Sequence, residues 1–116
     1  VLGYRDGNTF LAEEFKPYGE VYLATEDGSR GTKGNVIDAI RENGLTGDMI
    51  YACGPTPMLS ALKAYAQEQD IECWISMEER MACGIGACLS CIVETKQGRK
   101  RSCVDGPVFD ASEVIW

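Results

Sequence analysis

Met49-Ile50-Tyr51-Ala52-Cys53-Gly54-Pro55-Thr56-Pro57-Met58 reads as a strand that runs into a tight turn and leaves it as a helix. Met49 to Cys53 is short and apolar, and Gly54 and Pro55 end it. Thr56 stands where a side-chain oxygen can cap a helix, and Pro57 follows with a φ already suited to the first turn. Met58, Leu59, Leu62 and Tyr65 then recur at helical spacing to about Gln69. Ile71 to Ser76 is a further strand, with Cys73 and Ile75 on one face and Glu72, Trp74 and Ser76 on the other. Strand, helix and strand in this order make the repeating unit of a parallel sheet.

The same alternation extends toward the N-terminus. Val1 to Tyr4 and Val21 to Ala24 read as strands. Between them Asn8 or Thr9 can cap a short helix, with Leu11 and Phe15 on one face and Pro17 and Gly19 ending it. Thr25 to Gly34 holds three glycines and no apolar residue, so it is expected to be a long loop. Val36, Ile37 and Ile40 line a helix that stops at Gly44. After Met77 the texture changes to cysteine, glycine and short β-like pieces: Cys91 to Thr95, a turn at Gln97-Gly98, Arg99 to Val104, and a second turn at Asp105-Gly106-Pro107. The expected division is therefore an α/β part over residues 1–78 and a small Cys-rich β domain over residues 79–116.

The chain has 116 residues, enough for one domain or a small domain with an appendage. Its 11 basic residues against 18 acidic ones give a net charge of -7, the wrong sign for neutralising phosphates, so no nucleic-acid partner is expected. No apolar run reaches the roughly 20 residues of a membrane span, and no secretory signal opens the chain. A cytoplasmic protein is expected. Val1 begins inside what reads as a strand, without Met, so the chain is expected to be a fragment of something longer.

Histidine is absent, which removes the usual catalytic base and the usual neutral zinc ligand. No catalytic residue is expected in the chain by itself. Of the six cysteines, four crowd together as Cys83-x4-Cys88-x2-Cys91 and, after eleven residues, Cys103. This is the plant-type spacing for a 2Fe-2S cluster held by four thiolates. Two edge-sharing irons need two cysteines each, and a tight loop can also turn backbone N–H groups toward sulfur. Gly84, Gly86 and Ala87 permit that close wrapping. Arg99, Lys100 and Arg101 precede the fourth cysteine and would favour a site that grows more anionic on reduction, unless they are simply a solvated hairpin tip. A structural zinc site is the alternative of another class, although only Cys88-x2-Cys91 has its pairing. Disulfides fit poorly beside a cysteine-poor α/β segment.

Cys53, Gly54, Pro55, Thr56 and Met58 lie at the carboxyl end of a strand, where open α/β sheets bind ligands. The helix that follows could present its N–H groups to a polar cofactor, or the turn could be an ordinary one around a buried thiol. Glu26 and Asp27, at the end of another strand, could accept from an adenosine ribose and repel a 2'-phosphate, or be solvated loop carboxylates. No strand is followed by a G-x-G-x-x-G phosphate loop.

Two of these motifs carry a family resemblance. Cys53-Gly54-Pro55-Thr56-Pro57-Met58 resembles the C-G-P-x-x-M signature of the NAD(P) domain in ferredoxin reductase-like flavoproteins. Ser76 to Cys91, together with Cys103-Val104-Asp105-Gly106-Pro107-Val108-Phe109, is similar to the C-terminus of the electron-transfer subunits of NAD-linked dihydroorotate dehydrogenases. The resemblance implies a partial doubly wound parallel sheet, an NAD-binding domain lacking its first strand, followed by a small 2Fe-2S domain. It assigns Cys83, Cys88, Cys91 and Cys103 to the cluster and places Cys53, Gly54 and Met58 near nicotinamide and flavin. It further implies an NADH-using subunit whose FAD domain is outside this chain. The partner would be an FMN-containing dihydroorotate dehydrogenase catalytic subunit, in a heterotetramer serving pyrimidine (UMP) biosynthesis. Iron-sulfur flavoprotein subunits of hydrogenases, sulfide dehydrogenases or transhydrogenases share the same motifs and remain the alternative. Because the missing strand is central in that family, the four α/β strands are expected to form two pairs. Something else would then supply the strand between them: an upstream polypeptide, strand exchange between copies, or rearrangement.

Overall fold

The computed structural model describes residues 1–116. The chain divides into two compact units, Val1–Thr46 and Gly47–Trp116.

In the first unit β1 (Leu2–Tyr4) pairs in parallel with β2 (Leu23–Thr25), which pairs in parallel with β3 (Thr32–Lys33). The segment expected to be one long loop therefore contains a short strand. Thr25 explains it: buried, its Oγ1 donates to the Arg30 carbonyl at 2.7 Å, while Gly34 N–H bonds the Thr25 carbonyl at 2.8 Å. These bonds fold the reversal back onto β2. Gly31 sits at φ 63, and a Cβ there would lie 2.1 Å from the Leu23 carbonyl oxygen, so the reversal accepts only glycine.

Helix α1 (Ala12–Phe15) is capped neither by Asn8 nor by Thr9. Leu11 occupies the cap position in a left-handed conformation, and Thr9 Oγ1 is taken by Arg30. Helix α2 (Val36–Glu42) opens with a complete capping box: Asn35 Oδ1 accepts from the N–H groups of Ile37 and Asp38, and Asp38 accepts from Asn35 N–H. It buries Val36 and Ala39, with Ile37 and Ile40 half-buried beside them.

In the second unit β4 (Met49–Cys53) pairs in parallel with β5 (Glu72–Ser76) across α3 (Thr56–Gln69). The α/β strands thus form two parallel pairs, β1 with β2 and β4 with β5, in separate sheets. Pro55, extended at φ -61 and ψ 147, holds the N-cap position of α3 in place of Thr56, which is already helical. Leu59, Leu62 and Ala66 are the buried residues of α3. Leu59 and Ala66 join Cys73, Ile75, Met77, Val93, Phe109, Ala111 and Val114 in one core.

The cysteine segment contributes to that core. The hairpin of β6 (Ile92–Thr95) and β7 (Gly98–Arg101) buries Val93. A single turn, α4 (Ser102–Asp105), follows where a continuing strand is expected, so Cys103 is helical. Then β8 (Val108–Asp110) returns antiparallel to β5, with Phe109 opposite Ile75, and makes the sheet mixed. Residue 78 accordingly lies inside the second compact unit, because β8 completes a sheet begun before it. No helix is long and apolar enough to cross a membrane.

Candidate metal centre

Residues 83–91 form a loop without helix or strand, turned by positive φ at Gly84 (70), Gly86 (81) and Leu89 (60). These turns aim three N–H groups at one sulfur. Cys83 Sγ accepts from Ile85 at 3.4 Å, Ala87 at 3.3 Å and Cys88 at 3.4 Å. The three donors pull the Cys83 thiol pKa below its ordinary value, the Cys88 N–H most of all. Cys88 Sγ lies 3.0 Å from Ser90 Oγ, and its pKa is drawn down to about 6, chiefly by that hydroxyl and then by the Ser90 N–H. A loop that stabilises thiolates in this way is suited to a cation.

The fourth cysteine is delivered by packing. Ser102 is fully buried, its hydroxyl donates to the Met77 carbonyl at 2.9 Å, and its N–H bonds the Cys91 carbonyl at 2.9 Å. That places Cys103 beside Cys91, whose sulfur is the first cause of its raised pKa; the Gly86 N–H, turned toward Cys103, opposes the rise. Cys83 and Cys88 thus influence one another, and Cys103 feels both Cys91 and, more weakly, Cys83. No group of three or more Cys, Asp or Glu side chains closes to metal-binding geometry. All six cysteines are free thiols. The donor set, four thiols with backbone N–H groups on sulfur and no histidine or carboxylate among them, fits an all-thiolate iron-sulfur group.

Arg101 ties the two halves together. Its Nη1 donates to the Gly86 carbonyl at 3.2 Å, while its N–H and Nε reach Asp105 Oδ2 at 2.7 and 3.4 Å. The Arg101 N–H, first among the causes, holds the Asp105 carboxyl below its usual range. Arg99 turns to Glu94 instead, at 3.0 Å on the exposed face of the hairpin. Sequence reasoning grouped Arg99, Lys100 and Arg101 by charge and missed Ser102, Asp105 and the individual role of Arg101. Alternation along a strand separates Arg101 from Lys100, but the α4 turn that brings Asp105 back carries no such signal.

Cys53 ends β4 exposed, not as a buried thiol, with Sγ 4.0 Å from Glu78 Oε1. Gly54 follows at φ 154, and a Cβ there would lie 2.5 Å from Met58 Cε, so the turn and the first residues of α3 fit closely. Pro55 and Thr56 are exposed at the start of α3. In the other unit Glu26 and Asp27 are exposed just after β2. Asp27 Oδ1 accepts from Ser29 N–H at 2.9 Å and Ser29 Oγ at 2.7 Å, so part of its acceptor capacity is spent within its own loop.

Residues 78–115 match the iron-sulfur cluster binding domain of dihydroorotate dehydrogenase B. Over 119 residues the chain is 46% identical to the dihydroorotate dehydrogenase B (NAD(+)) electron transfer subunit of a Geobacillus species, a match covering 99% of this chain and 46% of that protein. The subunit of the same name from Bacillus pumilus is 48% identical over 118 residues, 98% of this chain and 45% of the relative. Among solved structures, the NADH-dependent reduced ferredoxin-NADP oxidoreductase, studied for flavin-based electron bifurcation, aligns with 100% of this chain and 43% of its own. Its TM-score is 0.85 at 35% identity. The chain spans about half the length of the curated relatives it matches. The chain thus has a ferredoxin reductase-like α/β fold, and along essentially its whole length it is similar to about half of a dihydroorotate dehydrogenase B electron-transfer subunit.

Proposed function

We propose that this chain supplies the cluster-bearing part of a subunit that relays electrons from NADH and FAD to an FMN-containing catalytic subunit oxidising dihydroorotate, in pyrimidine biosynthesis. The observation that carries the reading is the convergence of three backbone N–H groups on Cys83 Sγ, inside a loop that also holds Cys88 and Cys91 and lies against Cys103. In this reading residues 79–116 are the 2Fe-2S domain, and Cys83, Cys88, Cys91 and Cys103 are the four thiolates that would hold the cluster. The bound group supplies one-electron transfer. The protein holds the thiolates, keeps N–H donors on sulfur, and surrounds the loop with the exposed apolar side chains Met81, Ile85, Leu89 and Val104, a surface a partner subunit would cover. Residues 1–78 would be the later part of an NAD-binding doubly wound domain, with Cys53, Gly54, Pro55, Thr56 and Met58 toward nicotinamide and flavin. Glu26 and Asp27 would face the adenosine ribose.

Iron, acid-labile sulfide and zinc, measured per chain on anaerobically purified protein with its visible spectrum before and after dithionite, test the proposal. Equal iron and sulfide with bleaching on reduction are expected; zinc without sulfide would overturn it in favour of a structural zinc module. The structural likeness to the ferredoxin-NADP oxidoreductase keeps one second reading open, a subunit of another iron-sulfur flavoprotein. Co-purification with a dihydroorotate-oxidising FMN protein separates the two.

A further inference from the structure

The peptide joining Gly86 to Ala87 is held at both ends. Its N–H donates to Cys83 Sγ at 3.3 Å and its carbonyl accepts from Arg101 Nη1 at 3.2 Å. In a planar trans peptide these two groups point in opposite directions, so fixing the carbonyl fixes the N–H. Gly86, at φ 81, is the residue about which this peptide would otherwise turn most freely. Arg101 is itself anchored by two bonds to Asp105 Oδ2, two residues beyond Cys103. A continuous chain thus runs from the Asp105 carboxylate through the guanidinium and one peptide to a ligand sulfur, and successive bonds in such a chain polarise one another.

We propose that Arg101 is a positioning residue for the sulfur cradle: by holding the Gly86 carbonyl against Asp105 it keeps the Ala87 N–H on Cys83 Sγ. The inference rests on the cluster reading above and adds a residue outside the four cysteines. N–H groups held on the sulfurs favour the more negative, reduced state of an iron-sulfur site, so the latch raises the reduction potential and slows loss of iron. The guanidinium's planar fork serves two acceptors at once, which a lysine ammonium on a flexible stem does not reproduce. Arg99 supplies the internal control. It carries the same charge on the same strand but pairs with Glu94 and has no bond to the loop.

The test compares Arg101→Lys, Arg101→Gln and Arg99→Gln in the anaerobically purified, cluster-containing protein. It reads the midpoint potential by redox titration and the rate of iron loss to a chelator. Both Arg101 variants are expected to have a more negative midpoint and to lose iron several-fold faster, while Arg99→Gln matches the unsubstituted protein in both. Equal shifts in Arg101→Gln and Arg99→Gln, with none in Arg101→Lys, would reduce the effect to net charge and overturn the latch; so would unchanged values in all three. Failure of Arg101→Lys to hold iron with an unaltered far-ultraviolet circular dichroism spectrum supports the latch. The same failure with loss of secondary structure makes Arg101 a folding residue and counts against it. Absence of iron and sulfide from the unsubstituted protein is a separate result, which defeats the cluster reading.

Discussion

Ser102 reaches across 25 positions of sequence to donate its hydroxyl to the carbonyl of Met77, at 2.9 Å and fully out of solvent. Its own N–H bonds Cys91, so one small residue joins the end of β5, the third cysteine and the turn carrying the fourth. Removing the hydroxyl leaves the Met77 carbonyl without that donor in a dry site. Ser102→Ala should therefore cost about 1–3 kcal/mol, the range for orphaning a buried hydrogen-bonding group. Urea denaturation monitored by circular dichroism measures this, and a midpoint equal to that of the unsubstituted protein would show that the bond contributes nothing. Iron should also be lost faster, because the turn carrying Cys103 is then tied to Cys91 by its N–H alone and no longer to Met77.

How much of this was legible beforehand depends on the range of the signal. The β4–α3–β5 unit follows from local pattern, and the alternation of Cys73 and Ile75 against their neighbours appears in the structure as buried and less buried faces. The two parallel pairs also match expectation. What failed was settled by specific side-chain and packing contacts that hydrophobic periodicity does not encode, some of them between distant residues. β3 exists because Thr25 bonds Arg30, α1 loses its expected cap because Arg30 takes the Thr9 hydroxyl, and β8 follows from packing Phe109 opposite Ile75. The four-cysteine spacing identifies a candidate ligand set in the linear sequence, since a cluster loop is local. The Ser102 and Arg101 contacts that hold the fourth member in place are not.

Gly86 and Gly84 both sit at positive φ, yet their surroundings differ. A Cβ on Gly86 would lie 2.7 Å from Val104 Cγ2 and 3.0 Å from Arg101 Nη1, whereas nothing lies within 4 Å of one on Gly84. Either substitution to alanine carries a left-handed backbone cost of roughly 1–2 kcal/mol. Only Gly86→Ala adds a collision that pushes the loop off the guanidinium. The expected outcome is slow or incomplete cluster loading in Gly86→Ala and near-normal iron content in Gly84→Ala, read by iron and sulfide analysis after identical anaerobic reconstitution. Equal loading of both would show that the space beside Val104 is not needed.

Cys88 and Cys73 make a matched pair of free thiols in opposite settings. Cys88 is exposed, with Ser90 drawing its pKa down to about 6, while burial pushes the Cys73 thiol up within the core beneath β5. Cys88→Ser should abolish or strongly reduce bound iron and leave the fold intact. Cys73→Ser should retain iron and lose stability, since it places a hydroxyl among Ile75, Phe109 and Ala111. Iron content and thermal midpoint, measured on both, should move in opposite variants. In cluster-free protein, iodoacetamide at neutral pH should modify Cys88 well before Cys73.

Asp27 supplies the acid-side prediction for the Val1–Thr46 unit. The Ser29 hydroxyl, then the Ser29 N–H, hold its carboxyl below the ordinary value, so the folded loop binds its proton less readily than the unfolded chain does. The sign follows from linkage: this contribution to stability is complete above the unfolded pKa, about 3.9, and is lost as pH falls through the lower folded value. The Ser29 amide resonance should report it directly, holding constant from pH 6 to about 4 and shifting only below, as the bond from Ser29 to Asp27 Oδ1 breaks. Asp27→Asn keeps an acceptor but removes the titration, and should flatten that shift. An inflection at or above the ordinary carboxylate value in the unsubstituted protein would mean that the two Ser29 bonds do not persist in solution.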